Sequence, residues 1–139
     1  LVPFAITRWV EACDLVGDIQ TGMQVAARGL GAATDSKDVH YLSEFQRYKG
    51  KFLFAQGHPA PVVLPWLRRA VATAQACGSP PLMLRAVLSL IRYSADGGTP
   101  DALALLENAL ADMQGGEELP EVRRARALLD AATADARGH

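Results

Sequence analysis

The residues able to do chemistry are few and scattered. His40 falls in a link, His58 in a turn and His139 at the terminus. No His-x-x-x-His pair exists and no cysteine pair has metal spacing, so no metal site is expected. Cys13 and Cys77 each fall inside a helix-like stretch. They read as small buried or half-buried thiols, with a disulfide or a metal role as the alternatives, and a reducing cytosol fits them. Ser89 and Ser94 have no histidine partner that spacing would supply, so no nucleophile is expected. Gly29-Leu30-Gly31 lacks the third glycine of a dinucleotide fingerprint and follows no strand. No Gly-x-x-x-x-Gly-Lys-Ser/Thr loop is present. Asp14 and Asp18 flank one turn and Glu117-Glu118 flanks another. Paired acids do acid–base work only across a dry cleft at fixed separation, and turn acids are usually solvated caps. The chain is therefore expected not to be an enzyme and to carry no cofactor.

The charged residues that remain are better suited to contact than to catalysis. Arg68-Arg69 and Arg123-Arg124-Arg126 are the basic clusters. Each reads as a solvated helix face or as a docking surface for an acidic peptide or another domain. Fourteen basic and 15 acidic residues give a net charge of −1, without the positive field that phosphate-backbone binding needs. No direct nucleic-acid partner is expected. No apolar run approaches the roughly 18 residues of a membrane span. Leu1-Val2-Pro3-Phe4 has no Met and no basic n-region, so it does not read as a signal peptide and suggests a fragment of a longer protein, or trimmed first residues.

The elements that must hold these residues are helices. In 139 residues, a 50% apolar and 21% charged composition suits one globular domain. Turns fall at Val16-Gly17-Asp18, Gln56-Gly57-His58-Pro59 and Asp96-Gly97-Gly98, a 40-residue spacing both times. Apolar residues between them recur at threes and fours, the helical period. A first helix over Phe4 to Leu15 carries Ile6, Trp9, Cys13 and Val16. A second, Ile19 to Ala33, is capped by Asp18 and turns Ile19, Met23, Ala26, Ala27 and Leu30 inward. Gly22, Gly29 and Gly31 weaken it in isolation but permit close approach of a neighbour. Thr34 to Asp38 is a polar link, and Val39 to Gln56 a third helix. The fourth covers Ala60 to Cys77, with an irregular first turn expected from Pro59, Pro61 and Pro65. Ser79 is placed to cap a fifth over Pro81 to Ala95, built on Leu84, Val87, Leu88 and Ile91. Thr99-Pro100 opens a sixth, to Met113, with Ala102, Leu105, Leu106, Ala109 and Leu110 inward. The seventh, Pro120 to Asp135, closes the last hairpin, and Arg137-Gly138-His139 is expected to fray. Trp9 and Trp66 read as core, whereas Tyr41 and Tyr48 fit core or surface.

Small and large residues recur at matching offsets in each unit. The first reads Trp9, Cys13, Gly17, then Gly22, Ala26, Gly29. The second reads Gly50, Leu53, Gly57, then Val63, Leu67, Ala70. The third reads Leu84, Val87, Ile91, then Ala102, Leu106, Ala109. On these offsets the chain resembles tetratricopeptide repeats. The segments 43–57 and 84–90 and the ending 119–129 look like the C-terminal repeat region of bacterial predicted-ATPase transcriptional activators and adenylate/guanylate cyclases. Units of about 40 residues rather than about 34, glycines at Gly22 and Gly29, and the proline-rich second turn depart from the consensus.

The resemblance implies an all-α superhelix. Three hairpins, residues 4–34, 40–77 and 81–114, would be followed by a capping helix over 120–135, all in one domain spanning 1–139. It implies a non-catalytic, cytoplasmic interaction or regulatory module of a larger bacterial protein, in signal transduction, transcription regulation or adenylate cyclase control. The partner would be a protein, a peptide or a neighbouring domain. The alternative is a structural or homo-oligomerising helical domain, such as a homodimer. In such arrays the first helix of each hairpin lines the concave side, which makes Arg47, Tyr48, Lys51, Arg85, Arg92 and Tyr93 the expected interaction surface.

Overall fold

The structure, a computed structural model, describes residues 3–94 and 99–138. Their regular structure is entirely helical: α1 (Pro3–Val16), α2 (Ile19–Ser36), α3 (Val39–Ala55), α4 (Ala60–Cys77), α5 (Pro80–Tyr93), α6 (Pro100–Asp112) and α7 (Pro120–Gly138). The turn expected at Asp96-Gly97-Gly98 and the position of His139 lie outside the described residues. The fifth helix stops at Tyr93, short of the expected Ala95, because Ser94 is already extended at ψ 140°.

Caps set the helix starts. Asp18 accepts a hydrogen bond from the Thr21 N–H at 3.2 Å, Ser79 from Leu82 at 3.4 Å and Thr99 from Ala102 at 3.2 Å. Each satisfies a donor that the first helical turn leaves free. Two ends differ from expectation. α2 continues to Ser36, because Thr34 and Ser36 turn their hydroxyls back onto the Leu30 and Ala33 carbonyls instead of opening a link. The link shrinks to Lys37, in the left-handed region at φ 57°, and Asp38. α7 runs on through Arg137 to Gly138, where its last turns are mostly alanine, the best helix former. In α4 the Val62 and Val63 N–H groups both reach the Pro59 carbonyl, at 2.9 and 3.2 Å, which tightens the first turn. The helix continues through Pro65.

The helices form two layers. α1, α3, α5 and α7 each pack on the next odd-numbered helix. α2, α4 and α6 pack only on the helices before and after them in sequence. The α2–α3 seam is aromatic: Phe45 and Phe52 are fully buried, and their rings lie against the glycines of α2. A Cβ at Gly22 would stand 2.7 Å from the Phe52 ring, and one at Gly29 would run into Phe45. Gly50 plays the same part in the second hairpin, where a Cβ would meet Leu67 at 2.7 Å. Gly31 does not: it faces open space. Farther along, Leu84, Val87, Leu88, Ile91, Ala102, Leu106 and Val122 form an aliphatic core. Ser43 ties α3 to α4 by donating to the Ala70 carbonyl at 2.9 Å.

The face of α1 is rotated from expectation. Ile6, Val10 and Cys13 are the buried stripe, while Trp9 and Val16 are exposed. Trp9 lies outside the core beneath the Arg28 guanidinium at 5.8 Å. Trp66 is half-buried, flanked by Arg69 at 4.7 Å and Lys49 at 5.8 Å. On α2, Val25 takes the buried place assigned to Ala27, which is exposed. Both cysteines are free thiols, Cys13 buried and Cys77 half-buried.

Candidate functional site

The odd-numbered helices share a face that is charged and grooved. A groove of about 670 Å³ crosses their N-terminal parts. α1 supplies Phe4, Thr7, Arg8 and Glu11, and α3 with its cap supplies Asp38, His40, Tyr41 and Glu44. α5 and its cap supply Ser79, Pro81, Leu82 and Arg85. A smaller depression of about 270 Å³ lies at their C-terminal parts, between Asp14, Lys51, Phe54, Arg92 and Tyr93. N-terminal parts gather at one end and C-terminal parts at the other, so α1, α3 and α5 run parallel. A third hollow, about 170 Å³, opens between α5 and α7 beside Arg85, Glu121 and Val122.

Glu44 is the electrostatic centre of this face. Its side chain is 9% exposed and takes two arginines, Arg47 at 2.9 Å from its own helix and Arg85 at 3.4 Å from α5. Burial alone would raise the Glu44 pKa. The charge and hydrogen bond of Arg47, with the charge of Arg85, outweigh that and bring it below its ordinary 4.5. Burial likewise works against the charge on Arg47, and Glu44 more than restores it, so Arg47 stays a cation. Its guanidinium lies over the Tyr48 ring at 4.5 Å. Burial pushes the Tyr48 hydroxyl upward in pKa, opposed by Arg47 and supported by Glu44. Arg85 keeps one polar atom unsatisfied: its Nε–H is buried with no hydrogen-bond partner.

The six residues expected as an interaction surface divide into two groups. Arg47, Tyr48 and Arg85 meet around Glu44, and Tyr48 is buried, only 6% exposed. Lys51 binds Asp14 of α1 at 2.5 Å beside Tyr93 and Arg92, where the Tyr93 ring packs on Phe54 at 4.6 Å. Arg92 is exposed and Tyr93 half-buried. The basic residues are thus largely engaged within the fold. Arg68, Arg69, Arg123, Arg124 and Arg126 are exposed and lie off the groove.

Glu44, Arg8, His40 and Tyr41 were not among the expected residues. His40 belongs to the first turn of α3, not to a link. A signal for Glu44 and Tyr41 is present: Tyr41, Glu44, Tyr48 and Lys51 repeat at three, four and three residues, a polar–aromatic stripe beside the apolar one. Among the described residues no group of three His, Cys, Asp or Glu side chains could hold a metal, and no helix is long and apolar enough to cross a membrane. Compared with family models, curated proteins and solved structures, the chain matches none.

Proposed function

We propose that this chain is a non-catalytic docking module whose odd-numbered helices hold an extended peptide or a segment of another domain. The observation that carries this is the groove across α1, α3 and α5, which uses the same end of three successive hairpins. A segment lying across the layer would contact all three hairpins at once, as an elongated ligand requires. The groove presents two aromatic rings, Phe4 and Tyr41, among polar groups, a mixture suited to side-chain recognition. The offsets of small and large residues support a tetratricopeptide-like reading of the hairpins. With it comes the expectation of a regulatory arm in a larger cytoplasmic bacterial signalling or transcription protein. Selection of random twelve-residue peptides displayed on phage tests the docking reading. Peptides enriched on the wild-type chain should lose binding to Tyr41→Ala and Phe4→Ser and keep it on Arg68→Ala. Peptides lost on Arg68→Ala, or no enrichment at all, would refute it.

A second reading, homo-oligomerisation, rests on the outer face of α1. Shifted by the 40-residue repeat, Phe45 and Phe52, which face α2, become Ala5 and Ala12. Both are exposed, beside Trp9, Leu15 and Val16. A second copy seated on this stacking face would cover them. Sedimentation equilibrium decides it: a dimer dissociated by Leu15→Glu with Trp9→Glu supports this reading, and a monomer at high concentration removes it.

A further inference from the structure

Half of the exposed large apolar side chains among the described residues stand on one helix: Phe4, Trp9, Leu15 and Val16 of α1. α7, at the other end of the array, exposes none. Its outward residues are Arg123, Arg124, Arg126, Ala127 and Asp130. A copy stacked head to tail would therefore lay charge on apolar surface. The apolar end also has an internal order. Ala5, Trp9, Ala12 and Val16 are all exposed and fall within about 60° of the α1 circumference. They read small, large, small, large, at steps of four, three and four residues. Turned end for end, this stripe is its own complement. Ala5 comes opposite Val16 and Trp9 opposite Ala12, because both pairs are centred between Val10 and Glu11.

Resting on the homo-oligomerisation reading above, we infer that a second copy covers this face, its α1 antiparallel to the first about a two-fold axis between Val10 and Glu11. Each large side chain of the stripe then sits over an alanine of the other copy, as Phe45 and Phe52 sit over glycines within the array. Charge agrees with this register. Arg8 and Glu11, paired at 3.0 Å within one copy, flank the centre of the stripe. The two-fold brings Arg8 of each copy beside Glu11 of the other. Covering Trp9, Leu15, Val16 and the two alanines removes roughly 500 Å² from each copy, about 1,000 Å² in all, which is the low end for a specific interface. The dimer should therefore dissociate at about 1–100 µM. A two-fold axis normal to an antiparallel helix pair keeps the same side uppermost in both copies. The two odd-helix grooves thus face the same way, and the dimer presents them together.

Sedimentation equilibrium of the 139-residue chain should show a monomer–dimer equilibrium. Ala12→Trp sets tryptophan against tryptophan and should weaken the dimer at least about tenfold. Adding Trp9→Ala restores large against small, and should return the affinity to within about threefold of wild type. Both positions are exposed, and circular dichroism checks that the helices persist. Cross-linking fixes the register. In a Cys77→Ser background, Ala5→Cys mixed with Val16→Cys should oxidise to a disulfide-linked dimer. Ala5→Cys alone should not, because its two copies lie roughly 16 Å apart along the helix pair. A dimer that ignores Ala12→Trp, or in which Ala5→Cys cross-links to itself, overturns this inference and leaves homo-oligomerisation standing. So do species that keep growing with concentration, which mean head-to-tail stacking. A chain still monomeric at about 1 mM overturns both and gives the face to an unlike partner.

Discussion

The α2–α3 seam and the odd-helix face share α3 and are built by opposite rules. In the seam, two phenylalanine rings lie against two glycines and nothing polar intervenes, so shape alone sets the fit. On the odd-helix face, α3 turns Glu44 and Arg47 toward α5, and charge sets the fit. The seam leaves no group wanting. The face leaves the buried Nε–H of Arg85 without a partner and carries an open groove that Arg85 also lines. A close-packed region holds the fold together, and a grooved, charged face is where a ligand has room to add contacts.

Substitutions can break the contrast in order of size. Phe45→Ala should cost about 3–5 kcal/mol in urea unfolding, because it empties a ring-sized space in the seam. A loss under 1 kcal/mol would mean the seam is not close-packed. Glu44→Gln should cost about 3 kcal/mol at neutral pH, since it leaves Arg47 buried without its anion. The Glu44 pKa is lower in the folded state than its ordinary 4.5. Its contribution is therefore fully present above about pH 4.5 and lost as pH falls through the depressed folded value. The gap between wild type and Glu44→Gln should close on acidification. A gap that widens toward acid would refute the assignment. The glycines of α2 give the smallest and sharpest test. Gly29→Ala should destabilise by about 1–3 kcal/mol, because the added carbon collides with the Phe45 ring. Gly31→Ala, two residues on and open to space, should stabilise by about 0.5–1 kcal/mol through helix propensity. Equal signs for the two would contradict the packing described.

Helix count and hairpin order were legible because period and caps act locally. Asp18, Ser79 and Thr99 cap where their types place them, and Leu84, Val87, Leu88 and Ile91 form the face their spacing implies. Rotation of a helix was not always legible. Trp9 and Val16 share the helical period with Ile6 and Cys13, and one residue of rotation, favouring Val10, turned them outward. Gly22, Gly29 and Gly31 look alike along the chain, yet only the first two face a ring, since which side of α2 meets α3 is a tertiary fact. The site was half legible. Arg47 and Arg85 were visible as charges, but their pairing through Glu44 crosses two helices and depends on the distance between them.

The central claim is that the odd-helix groove receives the ligand, and backbone amide shift mapping with a phage-selected peptide tests it most directly. Shifts confined to the N-terminal parts of α1, α3 and α5 are the expected result. Shifts centred on α4, α6 or the exposed arginines of α7, with the groove unchanged, would contradict it.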